Sequence, residues 1–478
     1  MPSDLSFFSL TIYLYISVFI KNDMESSYLA LLGRQNVWWD GKIENDPHIL
    51  QWKEHEQRWI PHQLEILPHK PFSLNIVIGP RQAGKTTLIK LAVEKLLKSG
   101  INPKSILYAR CDEVLDAKQL REVIETFFAY SGSKESFIFL DEITDIDGWE
   151  KVMKGFIDDG DFKKTVVTVS GSNAYQLQKG AELFPGRRGN GKDIYMLPLN
   201  FREYLAVVDK SLIDKIPQLT ELDSISVPDI RTILPMQNEL QKHLHDYLQC
   251  GGFPLAVLSY LKERKVSEEA KETYKSWIIG DILKNGKSDQ LAREVLKVVL
   301  SKTPTPVSWE GIAQETTIKS PPTLSSYIEL FERLFFILPL YALKPDKGTK
   351  EFAKNKKLHL FDPFLYHLSE EWCMQQVEHK EDVIAEAVLA THIARFLAAK
   401  YGAYRVNDYV GYWKNGYEID VVAQTKKGLS GFEMKWSDRK GAFEFKAGPI
   451  KNQVYISKNT FREGRPLVIP LAVLLSML

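Results

Sequence analysis

The sequence predicts an α/β protein with a parallel-sheet domain first, a helical middle, and a smaller α/β domain at its C-terminal end. Three observations carry this. Short apolar runs alternate with amphipathic stretches over 71–200, strand patterns stop at Asn200, and period-two alternation returns after residue 400. With 478 residues the chain has room for about three domains. Its 44% hydrophobic and 26% charged residues exclude a mainly disordered, collagen-like or coiled-coil protein. Lys and Arg number 62 against 61 Asp and Glu, so any attraction to nucleic acid or membrane must come from a local patch. Cys111, Cys250 and Cys373 lie far apart with no CxxC pair, which argues against a disulfide framework or zinc site and fits a reducing cytoplasm.

The elements follow in order. Residues 1–23 are an apolar extension whose uncharged run, 5–20, is shorter than the roughly 20 residues a spanning helix needs. No basic start or A-x-A cleavage site marks a signal peptide. Met24 offers an alternative start, so a membrane anchor is expected only if residues 5–20 are translated. Residues 24–70, with Trp38, Trp39, Trp52 and Trp59, read as a helical lead-in. Within 71–200, strands are expected at 73–79, 105–112, 136–142 and 164–172, with helices at 86–100 and 117–132. That spacing means parallel βαβ units.

Between the first strand and first helix stands Gly79-Pro80-Arg81-Gln82-Ala83-Gly84-Lys85-Thr86, a G-x-x-x-x-G-K-[ST] match followed by Thr87. Glycines let the backbone curl so that its N–H groups face phosphate oxygens, and the helix start adds its positive dipole end. Lys85 is then expected to neutralise the β- and γ-phosphates of ATP, and Thr86 to reach Mg²⁺. The apolar strand Phe137–Leu140 ends in Asp141-Glu142, and is expected beside the phosphate-loop strand. Asp141 is the second Mg²⁺ candidate, and Glu142 the base that takes a proton from the attacking water. The next strand ends in Ser170-Gly171-Ser172-Asn173, where Asn173 first and Ser172 second are candidates to sense the γ-phosphate; helix capping is the alternative. Arg187 and Arg188 in a loop are candidates for an arginine acting on a neighbouring copy, with a solvated surface pair as the alternative.

GPRQAGKTT, FIFLDE followed by Trp149, VSGSNA, GRR and LPLNFREYL together resemble the prokaryotic AAA-type ATPase family, whose members carry a C-terminal domain of unknown function. GGFP at 251–254, Asp281-Ile282 and Phe361-Asp362-Pro363 are further matches. The resemblance covers roughly 30–465. It implies a P-loop AAA-like core, a winged-helix-like middle, a C-terminal nuclease-like fold, and a ring or dimer.

Residues 201–300 read as a helical lid region, and 301–362 as two helices with a tight turn followed by a basic hairpin, the outline of a winged helix. Lys344, Lys347, Lys350, Lys354, Lys356 and Lys357 are its candidate DNA-phosphate contacts, with a packing role as the alternative. A second basic patch lies within 401–478, which has twelve Lys or Arg against seven Asp or Glu. In 380–478, two strands around Asp420 and Glu433-Met434-Lys435 reproduce the D…(D/E)-x-K pattern of the PD-(D/E)xK nuclease-like superfamily. A hairpin turning at Lys426-Lys427 sets Asp420 opposite Glu433 and Glu418 opposite Lys435. Asp420 and Glu433 are then candidate metal ligands, and Lys435 the candidate cation beside the phosphate; the resemblance to that superfamily implies Glu386, on the helix before the strands, as a further ligand. Ordinary cross-strand pairs in an inactive fold are the alternative. The leading reading is a cytoplasmic, DNA-associated ATP hydrolase with a nuclease-like tail; the other is a nucleotide-switched scaffold with an inactive tail.

Overall fold

Five parallel strands form the core of the N-terminal unit. The computed structural model describes residues 28–133, 135–171, 176–177, 180, 184, 186–403, 405–437, 443 and 448–478. The chain divides into two compact units, 1–79 with 84–196, and 80–83 with 197–478. The uncharged run at 5–20, together with Ser172 and Asn173, lies outside the described residues. Among the described residues no helix is long and apolar enough to cross a membrane.

In the first unit, β1 (Ser73–Ile78) and β4 (Val166–Gly171) are buried at every residue, as strands covered on both faces must be. They form one sheet with β2 (Ile106–Arg110), β3 (Phe137–Asp141) and β5 (Asp193–Tyr195), in the order β2-β3-β4-β1-β5. Every pairing in it is parallel. The connecting helices include α1 (Lys85–Lys98), α2 (Ala117–Ser131) and α3 (Trp149–Asp158). Asp116 caps α2 by accepting from Gln119 N, and Gly132 ends it at φ 65°. The strand order corrects one expectation: β3 does not adjoin β1, because β4 lies between them and pairs with both. Local apolar patterning identifies strands but carries no information on their lateral order.

The edge strand β2 would present unpaired backbone groups. Asn36 covers them: its Nδ2 donates to Tyr108 O at 2.8 Å and its Oδ1 accepts from Tyr108 N at 2.7 Å. Trp38 and Trp39 both donate to Ile106 O. The lead-in predicted from its tryptophans thus seals the edge of the sheet.

The second unit begins with α4 (Phe201–Val208), α5 (Gln237–Cys250), α6 (Glu268–Lys284) and α7 (Asp289–Lys302). The segments α8 (Trp309–Gln314) and α9 (Pro321–Arg333) follow, then the antiparallel pair β6 (Ile337–Lys344) and β7 (Thr349–Leu360). After α10 (Pro363–Cys373) and α11 (Lys380–Tyr401) come β8 (Val410–Asn415), β9 (Tyr417–Thr425), β10 (Gly428–Lys435), β11 (Asn452–Ser457), β12 (Leu467–Pro470) and α12 (Leu471–Met477). These strands and the earlier hairpin share one mixed sheet, ordered β12-β11-β10-β9-β8-β6-β7. The basic hairpin is therefore an edge of the C-terminal sheet, joined to it where Ala342 pairs with Tyr412. Helix α11 packs across β7, β8, β9 and β10 and is apolar nearly all round, which suits a helix with little exposed face.

GGFP and Asp362 explain each other within this unit. Asp362 caps α10 by accepting from Phe364 N at 2.9 Å, and also accepts from Gly252 N at 2.9 Å. A Cβ at Gly252 would stand 1.9 Å from Leu199 O, so only glycine fits there. Burial pushes Asp362 up to about 7. The motif is a packing junction. All three cysteines are buried and free.

Candidate active site

The phosphate loop leaves β1 at its carboxyl end and turns directly into α1. Gly84 takes φ 96° as the residue before the helix, a conformation that disfavours any side chain, and Gln82 also has positive φ. At Gly79 a Cβ would meet Met196 O at 1.9 Å. Lys85 opens α1 and is only 4% exposed; its Nζ donates to Gly79 O at 3.1 Å, folding the ammonium back over the loop. Thr86 Oγ1 donates to Asp141 Oδ2 at 2.7 Å. Although β4 separates their strands, the two candidate Mg²⁺ ligands meet. Strand β3 ends at the same edge as β1, and the first turn of α1 reaches across.

Asp141 is held from three sides. Besides Thr86, it accepts from Tyr108 Oη at 3.0 Å and from Ser170 Oγ. Burial and the neighbouring Asp141 charge hold the Tyr108 phenol far above its usual range, so it remains a donor. Sequence reasoning missed Tyr108, which carries no signal within its apolar strand. It passed over Ser170 in favour of the residues after it, although a hydroxyl at the end of a buried strand is itself a signal. Beneath them lies the Lys90–Asp46 ion pair at 2.9 Å, with the Lys90 ammonium 3.5 Å from the centre of the Tyr108 ring.

Glu142 follows at φ 57°, a left-handed conformation uncommon for a non-glycine residue. It is half-buried, and its N–H donates to Ser170 Oγ at 3.3 Å. Asp141 is buried, whereas Glu142 is only partly so. Arg81 belongs with the C-terminal unit and lies 2.9 Å from Asp281 of α6. Arg187 pairs with Asp158 at the end of α3 at 2.9 Å. Arg188 pairs with Asp193 and donates to Leu74 O. Leu74 lies at the opening of β1, the opposite end from the phosphate loop.

The C-terminal candidates come together differently. The β9–β10 register is the one the turn at Lys426-Lys427 predicts: Gly428 pairs with Thr425 and Phe432 with Val421. The side-chain partners depart from expectation. Glu418 does not pair with Lys435; it lies 2.6 Å from Lys357 and 2.8 Å from Lys414. Lys435 instead pairs with Glu433 at 2.5 Å. Asp420 and Glu386 do converge, but on Lys357, at 3.0 and 2.6 Å. Among the described residues no group of three or more His, Cys, Asp or Glu side chains is arranged to hold a metal ion.

Three of the six hairpin lysines are likewise not the free surface cations expected. Lys357 is 1% exposed. Lys356 is buried 4.5 Å from the Trp309 ring centre, and Lys350 donates to Asn407 O at 2.7 Å. Their strand is solvent-facing only in its outer half; the inner half, 356–360, enters the core. Lys344, Lys347 and Lys354 remain exposed.

Comparison with known proteins agrees with the geometry of the first site. Residues 72–205 match a family model described as an AAA domain, and residues 241–372 one described as a domain of unknown function. An uncharacterized protein of Haemophilus influenzae is 25% identical over 299 residues, 59% of this chain and 66% of its own length. One from Methanocaldococcus jannaschii is 22% identical over 303 residues, 61% of each chain. The chain thus spans less than two thirds of the length of these relatives. Among solved structures, a Walker-type ATPase of Pyrococcus abyssi aligns at 13% identity and a TM-score of 0.40, covering 62% of this chain and 91% of that one. Residues 72–205 have a P-loop, AAA-like fold.

Proposed function

We propose that this chain binds ATP with Mg²⁺ at the phosphate loop and hydrolyses it. The observation that carries the reading is the Thr86–Asp141 contact, next along the helix to the buried Lys85, at the carboxyl edge of the parallel sheet. Thr86 and Asp141 would hold Mg²⁺, which supplies positive charge against the phosphates. Lys85 binds the phosphates, Ser170 and Tyr108 orient Asp141, and Glu142 takes the proton of the attacking water. Arg187, which pairs with Asp158 at the C-terminal end of α3, would act on a neighbouring copy in a homo-oligomer. In a test by phosphate release and nucleotide titration, the parent should turn over ATP. Lys85→Ala should bind nucleotide at least about 100-fold more weakly, because it leaves the phosphate charge unopposed. Unchanged affinity in that variant would reject the site.

A DNA-associated role finds support in the order α7, α8, α9 and the β6–β7 hairpin, the layout of a winged helix. The cations available to phosphate are Lys344, Lys347 and Lys354, the last already 2.8 Å from Glu351. Reversing these three to glutamate should flatten the salt dependence of DNA binding by up to about three units of slope. An unchanged slope would remove the hairpin from consideration. For the C-terminal sheet, the internal pairing of its carboxylates favours a coupling or binding module over a phosphodiester-cleaving one.

A further inference from the structure

A buried charge cluster of the second unit contains none of the phosphate-loop residues. Its centre is Lys357 Nζ, surrounded by Glu386 Oε1 and Glu418 Oε1, each at 2.6 Å, and Asp420 Oδ1 at 3.0 Å. The carboxylates come from α11 and from alternate residues of β9, and the lysine from β7. Two of the remaining carboxylate oxygens also have partners. Asp420 Oδ2 accepts from Met434 N at 2.8 Å, and Glu418 Oε2 lies 2.8 Å from Lys414 Nζ. Burial works against the Lys357 charge, but Asp420, Glu386 and Glu418 outweigh it and hold the ammonium above its ordinary range. Next to it on the strand, His359 is fully buried 3.7 Å from Glu386, and neither ring nitrogen has a hydrogen-bond partner among the described residues.

Three carboxylates converging from two elements are what an oxygen-ligated divalent cation requires. Here the point they converge on is filled by a side chain of the same chain. A divalent ion entering beside that ammonium would meet a fixed positive charge in a low-dielectric interior and find the inward oxygens already committed.

We propose that the Lys357 ammonium stands where a divalent cation would otherwise sit, making the C-terminal sheet a metal-independent, non-cleaving module whose carboxylates become a cation site only when that lysine is removed. The lysine lies on the hairpin, so the same contact ties the outermost strand of the sheet to α11 and β9. This inference does not depend on the ATPase reading, and ATP turnover of the Lys357→Met chain with Asp141 intact keeps the two separate.

The test titrates Mn²⁺, with no nucleotide present, into the full chain carrying Asp141→Asn to silence the phosphate-loop site, with free Mn²⁺ followed by electron paramagnetic resonance. In that background the otherwise native cluster should show no micromolar site that Asp420→Asn removes. Adding Lys357→Met, which keeps length without charge, should create one Mn²⁺ site at least tenfold tighter, abolished by Asp420→Asn. Such a site in the chain that keeps Lys357 would overturn the proposal, as would a folded Lys357→Met chain binding no more Mn²⁺. If Lys357→Met weakens the fold, its Tm with and without Mn²⁺ decides: a rise supports the proposal and no change rejects it. Mn²⁺-dependent nicking of DNA by the parent, lost in Asp420→Asn, would also reject it.

Discussion

Glu142→Gln should leave ATP binding intact and slow hydrolysis by about 10²- to 10⁴-fold, the usual contribution of a positioned general base. The amide keeps the size of the side chain and cannot accept the proton. The backbone contact that sets Glu142, its N–H to Ser170 Oγ at 3.3 Å, does not involve the substituted atoms. The left-handed turn at φ 57° belongs to the backbone, so the loop should keep its shape. Binding of a fluorescent ATP analogue together with single-turnover phosphate release separates the two effects. Release at the parent rate would show that another group takes the proton. Equal loss of binding and turnover would show that the residue shapes the loop.

The second large effect concerns stability. Lys357→Ala removes the one cation shared by Glu386, Glu418 and Asp420, and breaking a buried ion pair from one side costs about 3–5 kcal/mol. For a unit of this size that is a fall of roughly 10 °C in Tm. The variant should also acquire a particular pH dependence. The groups around the vacated position are Glu386 of α11, Glu418 and Asp420 of β9 and His359 of β7, with Lys414 of β8 paired to Glu418. In the parent, burial raises Glu418, but Lys357 and Lys414 outweigh it and hold the group below its ordinary value. Its ionised form therefore stabilises the fold at neutral pH and loses that contribution in acid. Without Lys357 the sign reverses for Glu418, while Glu386, which burial and Asp420 already push up to about 8 in the parent, rises further. Both then have folded pKa values above their unfolded ones, so stability is greatest in acid and is lost as pH rises through those folded values. The Tm deficit relative to the parent should shrink from pH 8 to pH 5, as thermal unfolding at several pH values will show. A deficit that does not vary with pH would mean that the alanine acts through lost packing alone.

Much of the first site could be read along the chain because its signals are local. A buried apolar run, a glycine turn and a helix start are contiguous, so Lys85 and Thr86 could be placed from sequence. The acidic pair could be found from the apolar strand preceding it. Likewise the β9–β10 hairpin register followed from a two-residue turn and period-two alternation, both short-range. What tertiary structure decided is which distant elements become neighbours. It inserted β4 between β1 and β3, and it brought Tyr108 and Ser170 onto Asp141. It joined the basic hairpin to the C-terminal sheet and turned the inner half of β7 into the core. The sequence by itself therefore determined the element types, the phosphate loop and its acidic partner. The fate of Lys357 was beyond it: a lysine in a basic run has the same local signature whether it faces solvent or core. Only long-range packing set three carboxylates around its ammonium, where the low dielectric makes removal of either side of the pairing costly.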